Sequence, residues 1–257
     1  MMLIFLITIL LFGMALFFFM LKEAFENRVV EHNINLEDFP ESFGEVSIFF
    51  ISDVHRRKID EKILNKVKGK VDIVIIGGDL TEKKVPLSRV KENIAKLKTL
   101  GPVYFVWGNN DYEIDYHELD ATLLENGVKI LDNTAVTFES EKEDKFVLLG
   151  VDEISEGRDR LDLALSDAGA GGFRVLVCHN PKIMEQVKPE YRISLVLSGH
   201  THGGQIRILG FGPYQKGGIS RVHNTTVLVS NGYGTTALPL RLGAPSETHL
   251  IKLKQQI

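Results

Sequence analysis

Six short runs of β-branched, aliphatic and aromatic residues recur along this chain: VSIFFIS (46–52), VDIVIIG (71–77), PVYFVWG (102–108), KFVLLGV (145–151), RVLVCH (174–179) and SLVLSG (194–199). Each is too short for a buried helix and too continuously apolar for a strand with one wet face, so each reads as a strand covered on both sides. Helical patterns lie between several of them, at residues 61–68, 87–100, 116–125 and 160–168. Alternation of this kind argues for an α/β fold with largely buried sheets. Two more strands, 226–230 and 248–254, are expected to close the chain, and the glycine-rich stretch 203–218 to be a long loop.

The first 21 residues differ in kind from the rest. MMLIFLITILLFGMALFFFML carries no charged side chain, and about 20 apolar residues in a helix span the hydrocarbon core of a bilayer. No Lys or Arg precedes the run and no A-x-A site follows it, which favours an uncleaved single-pass anchor over a signal peptide. Lys22 and Arg28 follow the span, tilting the body toward the cytoplasmic face. The expected organisation is an anchor at 1–21, a polar linker with a short helix at 22–45, and the main folded domain at 46–257. With 44% hydrophobic residues, 25% charged residues and a formal net charge of -4, the body is ordinary globular material with no basic footprint for nucleic acid. Cys178 is the single cysteine, so it forms no intramolecular disulfide, and it reads as a core residue.

Metal-ligand residue types stand where the strands exit. Asp53 and His55 lie in SDVH, Asp79 in GGD, Asn109, Asn110 and Asp111 in GNND, His179 in CHNP, and His200 and His202 in GHTHGGQ. Residues i and i+2 share one side of an extended segment, so D-x-H and H-x-H can each aim two groups at one point. Any one string is a chance match. Together, in order and all at strand ends, they mark a site where α/β sheets usually build one.

This set resembles the calcineurin-like metallophosphoesterases. The resemblance implies a four-layer α/β sandwich, two β-sheets flanked by helices, with a two-metal site at one edge. By motif, Asp53, His55 and His202 would hold one divalent ion, Asn109, His179 and His200 the other, and Asp79 would bridge both. Asp79, Asn109, Asn110, Asp111 and His200 are the expected catalytic group. Imidazole, carboxylate and carboxamide donors suit Mn, Fe or Zn. Two carboxylates against two divalent ions leave the site positive, which fits a phosphoester substrate. GHTHGGQ and the tail VSNGYGTTALPLRLGAPSE are similar to the membrane-associated branch of the family, including relatives of lipid-nucleotide pyrophosphatases. The implied reaction is metal-dependent hydrolysis of a phosphodiester or pyrophosphate bond in a lipid-linked or membrane-proximal substrate.

Two departures from the pattern bear on function. Arg56, Arg57 and Lys58 follow D-x-H, either as a solvated turn or, for Arg56 and Arg57, as a phosphate or headgroup clamp. Asn110 stands where relatives carry a histidine near the leaving group, which leaves a second reading open: a metal-binding pseudoenzyme that holds a phosphorylated ligand or partner. His32, His117, His223 and His249 fall outside the set and are expected to be solvated or capping residues.

Overall fold

A computed structural model describes residues 1–256. Helix α1 (Met2–Ala24) is apolar on every side and buries only Ala24. At 1.5 Å per residue it is roughly 34 Å long, sufficient in length and composition to cross a membrane. The body then runs β1 (Val29–Leu36), β2 (Glu45–Ile51), α2 (Glu61–Val67), β3 (Ile73–Gly77), α3 (Leu87–Lys98), β4 (Val103–Val106), α4 (Tyr116–Glu125), β5 (Lys129–Ile130) and β6 (Thr134–Glu139). It continues through β7 (Lys145–Val151), α5 (Leu161–Ala168), β8 (Phe173–Cys178), β9 (Ile193–Ser198), β10 (Gly218–Val222), β11 (Thr225–Val229) and β12 (Thr248–Gln255).

Two mixed six-stranded sheets result, in the orders β1-β12-β2-β3-β4-β5 and β10-β11-β9-β8-β7-β6. Strand side chains alternate between faces, so each continuous apolar run feeds two cores at once. Ile48, Phe50 and Ile75 of the first sheet meet Leu148, Val175 and Leu197 of the second in the central layer. The alternate residues Phe49, Ile51 and Val74 turn outward onto Ile63, Ile94 and Leu119 of α2, α3 and α4. On the far side, Val147, Leu176 and Val196 pack against Leu161 and Ala164 of α5. The product is the expected α/β sandwich of two sheets flanked by helices. The helices start where their caps allow: Asp60 accepts from Lys62 N ahead of α2, and Asp115 from His117 N and Glu118 N ahead of α4.

Register places the site. Strands β2, β3 and β4 run parallel, as do β7, β8, β9 and β11. Their C-terminal ends emerge at one end of the sandwich. There the exit loops of the two sheets are tied by backbone bonds, among them Asp53 N to Gly78 O, Gly199 N to His179 O and Tyr233 N to Ser52 O.

Three expectations need correction. The segment 22–45 is not a plain linker, because it contains β1, which pairs in parallel with β12 over eight residues, from Val29 opposite Thr248 to Leu36 opposite Gln255. Only Ile34 and Leu36 of β1 are buried, so the string VVEHNINL looks polar even though it completes a sheet edge. Arg57 is neither solvated nor a clamp. Its guanidinium donates to the carbonyls of Phe25, Glu26 and Tyr233, to Asn27 Oδ1 and to Ser246 Oγ, and lies 3.7 Å from the Tyr233 ring centroid. It fastens the end of α1 to the body. His249, expected to be solvated or capping, is buried between His32 Nε2, 3.0 Å from its Nδ1, and Ser230 Oγ, 2.9 Å from its Nε2. His117 and His223 are exposed as expected, and Cys178 is buried, its thiol pushed up by burial and by the nearby Glu153 charge.

Candidate metal centre

Asp53, His55, Asp79, His200 and His202 all hold positive φ, between 50° and 69°. Residues other than glycine adopt this region uncommonly, Asn, Asp and His more often than the rest, and a cluster of such residues points to a functional site. Crowding leaves no room for alternatives: a Cβ on Gly199 would collide with Asp53 Oδ2, and one on Gly108 with Asp79.

Two clusters of buried donors form there. Asp53, His55 and His202 make one, and Asp53, Asp79 and His179 the other, the ligand atoms in each lying within 4.8 Å of one another. Asn109 and His200 adjoin the second cluster, with Asn109 Oδ1 2.9 Å from His200 Nδ1 and the His200 ring edge-on to that of His179. The first sheet thus supplies Asp53, His55, Asp79 and Asn109, and the second supplies His179, His200 and His202.

The donor chemistry fits divalent cations. His55 Nε2 and His202 Nε2 face each other at 3.1 Å, both rings being buried, and two ring nitrogens so placed need a proton or a cation between them. His179 Nδ1 meets the Gly77 carbonyl at 2.8 Å, which fixes its proton there and leaves Nε2 as a lone pair. That Nε2 is buried without a hydrogen-bond partner and lies 3.3 Å from Asp79 Oδ2. Burial holds His202 neutral, its pKa lowered to about 3, the state a metal ligand requires. Burial would raise the Asp79 carboxyl, but a proton held by His179 or His55 beside it outweighs burial and keeps the carboxylate ionised; a cation in the same place would replace that proton.

Supporting groups that local sequence did not single out stand behind these ligands. Glu82 Oε2 lies 3.0 Å from His55 Nδ1 and Arg56 pairs with the other oxygen. A carboxylate behind a ligating histidine orients the ring and raises its basicity; its signal in GGDLTE was only proximity to Asp79. Arg56 itself is 61% exposed, braced by Glu82 at the edge of the ligand cluster. Arg241, fully buried, donates to the carbonyls of Asn231, Gly234 and Ala244 and sits 3.1 Å from His202 Nδ1. Nothing local in PLRLG announces this.

Asp111 and Asn110 part company. Both oxygens of buried Asp111 accept from backbone, Thr81 N and Gly108 N at 3.0 Å each, so Asp111 braces the loop and does not reach the Asn110 amide. Burial and the Asp79 charge raise its pKa to about 7. Asn110 donates its backbone N–H to Asp79 Oδ1 and its side-chain amide to Glu113 Oε1. Asp79, Asn109, Asn110, His200 and His202 line a cavity of about 390 Å³, walled on the other side by Gln205, Tyr214 and Leu238.

A calcineurin-like phosphoesterase profile matches residues 46–204. The chain belongs to that family. The Bacillus subtilis protein YpbG is 47% identical over 210 residues, covering 81% of each chain. A zebrafish transmembrane protein with a metallophosphoesterase domain is 32% identical over 254 residues, which is 89% of this chain and 57% of that protein. The Escherichia coli phosphodiesterase YaeI is 27% identical over 181 residues, 66% of this chain and 65% of its own. Calcineurin-like phosphoesterases use divalent metals, and the two donor clusters lie at the strand exits where the family motifs fall.

Proposed function

We propose that this chain is a membrane-anchored, two-metal hydrolase of a phosphodiester or pyrophosphate bond in a lipid-linked or membrane-proximal substrate. The observation that carries the reading is the convergence of the buried His55, His179 and His202 imidazoles with the Asp53 and Asp79 carboxylates in two donor clusters, of which Asp79 and His202 also line the cavity. Asp53, His55 and His202 would hold one ion and Asn109, His179 and His200 the other, with Asp79 shared; Mn, Fe and Zn suit these donors. Such ions activate water near neutral pH and polarise phosphoryl oxygens. The chain's own contribution is positional. The His200 and Asn110 backbone N–H groups donate to the Asp53 and Asp79 carboxylates and lock them, and the half-buried His200 and the Asn109 and Asn110 amides line the cavity as donors for phosphoryl oxygens. Helix α1 and the transmembrane relative support the anchor, and Lys22 and Arg28 support a cytoplasmic body.

The test uses the full chain in detergent. Elemental analysis should find divalent metal, and bis-nitrophenyl phosphate should turn over with Mn and stop on chelation. Asp79→Asn should cost at least about a hundredfold, because Asp79 would serve both ions; near-native turnover would sink the assignment. A second reading, a metal-holding binder without turnover, is favoured by one feature: the Asn110 amide is bonded to Glu113 and brings no acid to the cavity. Bound metal with no turnover of any phosphoester would select it.

A further inference from the structure

Beyond the cavity, the loop after His202 forms a tight hairpin whose apolar tip is exposed. Ile208 and Phe211 exchange both backbone hydrogen bonds at 2.9 Å, with Leu209 and Gly210 between them at φ 52° and 86°. Positive φ at both central residues is the hairpin-type turn that normally carries Asn-Gly or Gly-Gly. A leucine there is strained, and it is also 92% exposed, beside Phe211 at 82% and Ile208 at 68%. The hairpin is held in shape from behind, since the Arg207 guanidinium donates to the carbonyls of Gly203, Gly210 and Tyr214.

Its position relative to α1 follows from hydrogen bonds. Arg207 N donates to Leu242 O and Leu242 N to Gln205 O, joining the hairpin base to the 240–246 segment. That segment is joined in turn to the last turn of α1: Arg241 N to Met20 O, Ser246 N to Glu23 O, and Gly243 N to Glu23 Oε2. Gln205 also binds the Thr236 and Leu238 carbonyls, and Leu238 is 58% exposed. The apolar tip therefore stands a few residues from the place where the apolar helix meets the body, and the same loops wall the cavity.

We propose that the 206–214 hairpin is a second membrane contact, seated in the lipid interface beside α1, so that the cavity opens onto the headgroup layer and takes phosphoesters borne on amphiphiles. This rests on the reading of α1 as a membrane span. Exposed apolar side chains on a shaped, strained turn next to an apolar helix match the interface, where apolar groups gain burial and nearby polar backbone stays hydrated. A bilayer is the occupant because the helix already fixes one at this edge. Seating the rim there would present substrates to the cavity from within the bilayer plane.

The experiment places single tryptophans in the full chain, reconstituted in phosphatidylcholine vesicles with and without brominated acyl chains. Native Trp107 is buried and supplies a common background. Phe12→Trp reports the helix, Phe211→Trp the hairpin and Leu124→Trp an exposed site on α4. Brominated lipid should quench the first two by about half or more, and leave the third unchanged. Quenching at 12 with 211 at the level of 124 overturns the hairpin contact and leaves the anchor standing; quenching at neither overturns both. In a second arm, Leu209→Ser/Phe211→Ser should lower turnover of hexadecyl nitrophenyl phosphate in vesicles about tenfold while leaving soluble bis-nitrophenyl phosphate unchanged. Equal loss on both substrates, or cross-linking of two copies through Phe211→Cys, overturns the proposal in favour of a catalytic or a dimer role.

Discussion

Behind His55 stands the Glu82 carboxylate, which faces the ring with one oxygen and pairs with Arg56 through the other. Removing it with Glu82→Ala should weaken Mn affinity about 10- to 100-fold, measured by metal titration, at a melting temperature close to that of the parent; unchanged affinity would reduce Glu82 to a partner of Arg56. Asn110 raises a different question, since a histidine there could donate a proton to a departing oxygen and asparagine cannot. Asn110→His should raise turnover of alkyl phosphodiesters by on the order of a hundredfold and that of nitrophenyl esters little, because only the poor leaving group needs acid help. Equal gains would mean that the substitution improves binding and restores no acid. The ligand candidates were legible because each sits in a short string at a strand end. Glu82, Arg241 and Arg57 were not, because their partners come from other parts of the chain: Arg57 and Ser246 lie 189 residues apart.

At the scale of elements, legibility followed burial. The central strands announce themselves as continuous apolar runs, and helices such as α4 were bounded by an Asp cap and an apolar face. Edge strands escaped. β10 is exposed along its whole length and β6 is half-buried, so neither carries the pattern of a covered strand, and β1 hid its two inward residues among polar ones. The β1–β12 pair also carries a pH device. Burial first, then His32 and Arg28, lower the His249 pKa from 6.5 to about 3. Glu247 Oε1 is 3.7 Å from His249 Nε2, but that oxygen already accepts from the Asn231 backbone and amide. Between those pKa values the unfolded chain binds a proton that the fold refuses. The contribution of His249 to stability is thus complete above about pH 6.5 and is lost as pH falls toward 3, at about 1.4 kcal/mol per pH unit. His249→Gln should flatten the acid limb of stability, read as a smaller drop in the urea midpoint between about pH 7 and about pH 4.5; an unchanged drop would place the acid sensitivity elsewhere.

For the whole molecule, the first question is where the body begins. Deleting residues 1–19 should leave a folded body, since the bonds from Met20 and Glu23 to the 241–246 segment and the Arg57 fastening remain. Deleting residues 1–36 removes β1 and uncovers β12, and should lower the melting temperature by about 5 °C or more. Equal melting of the two truncated chains would show that β1 adds nothing to the sheet. The strand order also has a consequence in time. β12 lies between β1 and β2 in the first sheet, so the second and third strands of that row are a late one and an early one to be made. At ribosomal speed the roughly 220 residues from Val29 to its partner Thr248 take on the order of ten to forty seconds to appear. During that interval α1 has already left the ribosome and β1 has no neighbour to pair with. The nascent body must wait for its own tail, with the helix committed before the sheet can close.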